Sequence, residues 1–330
     1  MDFTAAPDLA ARKLGGSVVF ANDEFFAEKE SLLSASAPVF APGDFGNKGK
    51  LYDGWETRRR REPGNDHAII RLGCAGIVHG VVVDTAFFRG NYPPEISVEA
   101  VCADGYPSPA ELAGLTWRPL VERTDAAGDS ANRYPVASAS RWTHVRLSIY
   151  PDGGVARFRV HGEVVPDPAF LTGTIDLAAM ENGALVAGCS DAFYSAPGNL
   201  ISPGRATDMG DGWENARRRG PGNDYVIVKL AARGRPSQVE IDTSCFVGNA
   251  PGWASLLAAD RLDGDWWPVL PRTRLQPDTR HRFTVDPSRP AAYARLDVYP
   301  DGGLARLRVY GAVEPEALDA ASRRWLETSG

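Results

Sequence analysis

Two segments of this chain concentrate the side chains that can hold an anion and move a proton. Asp53 to Leu72 reads DGWETRRRREPGNDHAIIRL and Asp211 to Leu230 reads DGWENARRRGPGNDYVIVKL, with 13 identities in 20 positions at an offset of 158. Arg58, Arg59 and Arg60 in the first copy, and Arg217 and Arg218 in the second, are candidates to clamp a carboxylate. A guanidinium offers parallel N–H donors where an ammonium offers a point charge. Four arginines in succession, Arg58 to Arg61, cannot all point one way in an extended chain, so convergence requires a loop. A solvated face is the competing reading. The acid/base candidates are Glu56, Asp66, Asp84, Glu214, Asp224 and Asp242. For any single one a plainer role competes: turn capping for Asp66 and Asp224, strand-end hydrogen bonding for Asp84 and Asp242. Asn91 and Asn249 each follow a glycine and read as turn formers with positive φ. Asp53-Gly54 and Asp211-Gly212 read as turns, Trp55 and Trp213 as packing residues, and His67 as an aromatic-like packing residue.

The elements that position these residues come twice. The 158-residue offset also aligns Val83 to Asn91 with Ile241 to Asn249, while RLSIYPDGGVARFRVHG from Arg146 matches RLDVYPDGGLARLRVYG from Arg295 at 12 of 17 positions. Upstream, DLAARKLGGSVVFANDEFF from Asp8 matches DLAAMENGALVAGCSDAFY from Asp176. Four collinear blocks establish a duplication. The boundary falls between Gly162 and Asp176, giving a first repeat over residues 1–172 and a second over 173–330. Short runs of branched residues, punctuated by Gly, Pro and Asp, predict an all-β chain of two tandem β-sandwich (jelly-roll) domains. Tyr150-Pro-Asp-Gly-Gly, flanked by apolar alternation, predicts a hairpin in which Arg157 and Arg159 alternate with buried positions; the PDGG turn is assigned no chemistry. Pro315 opens a short C-terminal helix.

Composition narrows the field. A net charge of −6 argues against a nucleic-acid partner, which requires a basic face. Cys74, Cys102, Cys189 and Cys245 lack zinc-site spacing. The first residues lack a secretory apolar core and no run matches a membrane span, so a cytoplasmic protein is expected. GxSxG, HExxH, P-loop and Rossmann patterns are absent.

The combination of YDGWETRRRR from Tyr52, VVVDTAFFRGNYPPEISVE from Val81, MGDGWENARRRGPGND from Met209, VEIDTSCFVGN from Val239 and two YPDGG turns resembles the allantoicase (allantoate amidinohydrolase) family. The resemblance runs from about Asp8 to Gly311. It implies a galactose-binding-like jelly roll in each repeat and hydrolysis of allantoate to ureidoglycolate and urea in purine and allantoin catabolism, in a homo-oligomer. It associates some members with a divalent metal such as manganese, for which no ligand set is evident; no cofactor is otherwise implied. Allantoate carries one carboxylate for the arginines and ureido groups for which Asn91 and Asn249 are amide partners. Loss of the working arginine is expected to cost on the order of 2–5 kcal/mol of substrate interaction. A small polar substrate is best enclosed where two surfaces meet, at a repeat or subunit interface. The pattern departs from the family's GHDW at Asn65 and His67, at Asn223 and Tyr225, and from its histidine at Cys245, which leaves a slow, altered or lost activity open. The rival expectations are a non-catalytic ligand- or carbohydrate-binding protein and a relative acting on another ureido acid.

Overall fold

A computed structural model of the chain describes residues 2–40, 43, 45–46, 49–50 and 52–329. The chain divides into two units, residues 1–165 with 327–330, and residues 166–326. Each is built around one 19-residue strand, Asp66–Asp84 in the first and Asp224–Asp242 in the second. These strands are too long for one flat layer, and both break register midway, between Arg71 and Gly76 and between Lys229 and Gly234. Such irregularities bend a strand and let it serve two layers. The first half of Asp66–Asp84 lies between Ser17–Ala21 and Arg141–Tyr150, which continues to Glu95–Val101 and the edge strand Arg118–Asp125. The second half lies between Ala131–Pro135 and Arg157–Val164. Ile70, Leu147 and Ile96 from one layer share a buried core with Val81, Val83, Phe158 and Val160 from the other. The second unit repeats this plan, so the expected tandem β-sandwiches are present, and the C-terminal helix runs over Pro315–Glu327.

The expected hairpin at PDGG does not form. Arg141–Tyr150 and Arg157–Val164 both pair with Asp66–Asp84, on its two halves, and not with each other. The turn carries the chain between the layers of the sandwich. Only Gly153 takes positive φ there, at 144°. Gly154 is required for space instead, because a Cβ would lie 2.0 Å from the Phe88 ring. Local turn chemistry was consistent with a hairpin, but the bent long strand supplies better partners to both flanks.

One largely buried carboxylate in each unit ties its N-terminal segment to a core strand. Asp8 accepts from the Val160 and Ala10 N–H groups at 2.9 and 3.1 Å, and Asp176 accepts from those of Val309 and Ala178 at 2.9 and 3.0 Å. Burial pushes Asp176 up to about 6 despite these bonds and Arg308 at 3.6 Å. A carboxyl whose pKa is raised on folding stabilises most when protonated. Its contribution is complete below pH 4 and is lost as pH rises through about 6. An Asp176→Asn variant keeps the acceptor oxygen without the ionisation. Its urea midpoint relative to the wild type is expected to climb between pH 4 and 6, by up to about 3 kcal/mol in unfolding free energy, and to level off above. A midpoint difference independent of pH would contradict this.

Candidate active site

The DGWE segment enters each unit as the short strand Trp55–Glu56 and its second-repeat counterpart. Trp55 and Trp213 are fully buried, and their indole N–H groups donate to the Asp23 and Asp191 carbonyls at 2.8 Å. The packing role expected of both tryptophans is what the fold uses. With the indole facing inward, the next side chain faces the other way. Glu56 Oε1 accepts from Asn91 Nδ2 at 2.6 Å, and Glu214 Oε1 accepts from Asn249 Nδ2 at 2.5 Å. Glu56 is 9% exposed, and that burial raises its pKa, only partly offset by the Asn91 hydrogen bond. Neither asparagine takes positive φ; Phe87 and Cys245, four residues earlier, do so at 68° and 72°. The asparagines are therefore not turn formers of the expected kind. Their carbonyls accept from Gly154 and Gly303 at 2.7 and 2.8 Å, which fixes each amide over its glutamate.

The arginine run is a loop whose members separate. The Arg58 N–H and Nε bond the Asp23 carboxylate at 2.9 and 2.7 Å; the equivalent position in the second unit is Ala216, whose N–H bonds Asp191 at 2.6 Å. Arg60 Nη1 donates to Asp66 Oδ1 at 2.7 Å, and Arg218 Nη2 donates to Asp224 Oδ1. The Arg60 and Arg218 N–H groups donate to Asp152 and Asp301 of the PDGG turns at 2.8 and 2.7 Å. Arg59 and Arg217 point outward, exposed, and hold no hydrogen bond or ion pair among the described residues. The loop thus commits Arg60 and Arg218, and leaves Arg59 and Arg61 in one copy and Arg217 and Arg219 in the other exposed and without a hydrogen bond or ion pair among the described residues.

Of the other acid candidates, Asp66 and Asp224 are each 2% exposed and hold that arginine together with Asn22 or Ser190 at 2.9 Å. Asp84 accepts from the Ala86 N–H at 2.9 Å, and Asp242 accepts from the Ser244 N–H at 2.8 Å and its hydroxyl at 2.5 Å, both at strand ends. His67 packs against Phe20, with ring centroids 5.6 Å apart. No group of three or more His, Cys, Asp or Glu among the described residues is arranged to hold a metal ion, so manganese finds no fitting ligand set in them.

Several contributors were not singled out by residue type. Phe26 and Tyr194 donate their N–H groups to the Glu56 and Glu214 carbonyls at 3.1 Å, and each belongs to an exposed T-shaped aromatic pair, Phe25–Phe26 and Phe193–Tyr194. Arg157, expected to alternate outward, and its second-repeat equivalent Arg306 are each 2% exposed. They anchor the DG pair that precedes each tryptophan: Arg157 Nη2 reaches Asp53 Oδ2 at 2.7 Å, and Arg306 Nη2 reaches Asp211 Oδ2 at 3.2 Å. Repetition of DEFF as DAFY, and of ARFR as ARLR, is the signal that marks both features.

Fold and site together define a duplicated β-sandwich protein that presents, in each copy, a carboxylate held by an amide and exposed guanidinium groups uncommitted among the described residues. That is equipment suited to a small anionic substrate. The family model described as the allantoicase repeat matches residues 7–165 and again 175–314. A probable allantoicase of Nocardia farcinica is 56% identical over 94% of this chain and 95% of its own length, and the allantoicase of Dictyostelium discoideum is 41% identical over 92% and 86%. The crystal structure of allantoicase from Saccharomyces cerevisiae superposes with a TM-score of 0.79 at 34% identity, covering 93% of each chain. The chain belongs to the allantoicase family.

Proposed function

We propose that this protein hydrolyses allantoate to ureidoglycolate and urea, in the cytoplasm and as a homo-oligomer, with Glu56 as the group that moves the proton. Family membership over nearly the whole chain supports the reaction and disfavours a purely ligand-binding role. The observation that carries the assignment of the acid is Glu56 itself, buried, raised by that burial, and steadied by Asn91. A carboxyl whose pKa burial raises holds its proton to higher pH than a solvated one, which suits it to donate to a departing nitrogen.

The chemistry balances with one carboxyl acting twice. Glu56 gives its proton to the nitrogen of the leaving urea as the bond from the central carbon to that nitrogen breaks. The lone pair of the remaining ureido nitrogen fills the gap as a C=N bond. Water then adds to that carbon, the C=N electron pair returns to nitrogen, and the proton lost by the water restores Glu56. Arg59, with its guanidinium uncommitted, receives the substrate carboxylate; Asp66 serves as the anchor of Arg60 rather than as a second acid.

Purified protein incubated with allantoate is expected to release urea and ureidoglycolate in equal amounts. Absence of turnover, with or without manganese, would sink the reading. Arg59→Gln is expected to raise KM with a smaller effect on kcat, through loss of about 1.5–3 kcal/mol from one charged hydrogen-bonded contact. The solvent around Arg59 places this at the lower end of the range expected from sequence. Arg217→Gln, assayed alongside, reports whether the second copy binds substrate as well; unchanged KM in both variants would remove the clamp from the argument.

A further inference from the structure

The two repeats diverge most tellingly at the outer edge of one sheet. The edge strand Arg118–Asp125 reads RPLVERTD and its equivalent Trp267–Arg274 reads WPVLPRTR, and both are terminal strands in their sheets. Their cross-strand registers coincide. Glu95 stands opposite Asp125 and beside Tyr150 in the first repeat, while Trp253 stands opposite Arg274 and beside Tyr299 in the second. Matched positions therefore change from Glu95 to Trp253, from Glu122 to Pro271 and from Asp125 to Arg274, while Arg123 and Arg272 are retained.

The change in charge is not neutralised within either repeat. In the first, Arg123 lies 4.2 Å from the Tyr150 ring centroid and pairs with Glu95, which leaves exposed Glu122 and Asp125 without an ion pair among the described residues, while the strand's other cation, Arg118, stands at its opposite end. Two acids directly opposite on neighbouring strands repel. In the second, the Arg272 and Arg274 guanidinium carbons lie 5.6 and 5.9 Å from the centroid of the same Trp253 ring, and Arg272 lies 4.3 Å from that of Tyr299. Neither arginine pairs with a carboxylate among the described residues, and both are exposed. Two guanidinium ions gathered on one indole without a counter-charge call for an anion from outside. Half-exposed tryptophan with arginine is also the composition favoured at the centre of protein interfaces.

We infer that the Trp253/Arg272/Arg274 edge of one copy of this chain docks on the Glu95/Glu122/Asp125 edge of a second copy. This rests on the homo-oligomer reading and assigns its contact surface. Pro119, Pro268 and Pro271 lack N–H donors, so the edges meet through side chains and not by extending a sheet. A contact between two different patches is head-to-tail, and it closes into a ring only if the rotation permits.

Light scattering on size-separated protein tests this with two exposed-surface variants. R272E/R274E makes both edges acidic, and E122R/D125R makes both basic. Each variant alone is expected to fall to the mass of a single chain, and an equimolar mixture of the two is expected to reassociate. Circular dichroism confirms that each variant folds. A wild type that is a single chain at every concentration would overturn both the oligomer reading and this surface. An oligomeric wild type with unchanged R272E/R274E mass would overturn the surface alone, as would two monomeric variants that fail to reassociate. Unchanged mass together with Trp253 fluorescence quenching by inorganic phosphate would assign the arginines to a free anion instead. Urea release, assayed in parallel, reports separately on the reaction.

Discussion

Glu56→Gln is expected to lower kcat by a factor of roughly 10²–10⁴, the range that a positioned proton donor supplies, while KM stays within a few-fold of the wild type. Glutamine keeps the length of the side chain and can turn its carbonyl oxygen toward Asn91 Nδ2, so the local hydrogen bond survives while the proton is gone. The pH profile separates this role from a structural one. Because burial raises Glu56, its acid form persists above the ordinary carboxylate range, and kcat/KM is expected to fall as pH rises through that displaced pKa. The Asn91 hydrogen bond pulls in the opposite direction, so Asn91→Leu is expected to move this limb to higher pH while leaving an active enzyme. Stopped assays of urea release across pH 4–9 measure both. A Glu56→Gln enzyme with normal kcat would transfer the proton to another group, and an unmoved limb in Asn91→Leu would detach that limb from Glu56. Glu214→Gln is the matched comparison, since its carboxylate shares the asparagine contact.

The fold and the site were legible to different depths, for physical reasons. Duplication, strand content and the inward tryptophans follow from patterns a few residues long, and these survive in the folded chain. Glu56 and Asn91 are each marked by repetition, yet nothing local tells that they touch, because 35 residues separate them and the bent strand Asp66–Asp84 brings them together. The PDGG turn misleads for the same reason. Its residues suit a tight hairpin, but its flanking strands find partners on opposite halves of that long strand, and the turn instead delivers Asp152 to the Arg60 backbone. Alternation fails at Arg157 because a long cationic side chain can be accommodated inside when enough oxygens surround it. Apart from the neighbouring Ala156 carbonyl, the oxygens that do so come from Ser36 and Asp53, more than 100 residues away in sequence. Charge reversal between the two edge strands is legible only once the repeats are aligned strand by strand.

That internal arginine gives the largest expected effect on stability. Arg157 donates to the Ser36 carbonyl at 3.0 Å, the Asp53 carbonyl at 3.2 Å, the Ala156 carbonyl at 2.7 Å and the Asp53 carboxylate at 2.7 Å, at 2% exposure. Methionine fills a similar volume without a donor, and it strands those oxygens, including a carboxylate that the Arg157 hydrogen bond holds below its ordinary pKa. Breaking one half of a buried ion pair costs about 3–5 kcal/mol, and the 32% exposure of the Asp53 side chain places Arg157 at the low end of that range. Arg157→Met is therefore expected to lower the urea midpoint of the first unit by that amount, with Arg306→Met doing the same in the second. Lysine is not expected to rescue, since one ammonium cannot reproduce a fork that reaches three residues. Exposed Arg61→Met, within about 0.5 kcal/mol of wild type, is the control for loss of charge alone. Asp53 leads directly into Trp55 and Glu56, so loosening it is expected to depress kcat as well as stability. If Arg157→Met unfolds at the wild-type urea concentration, the guanidinium is dispensable and the DGWE segment is held by its tryptophan and the hydrogen bonds of Glu56.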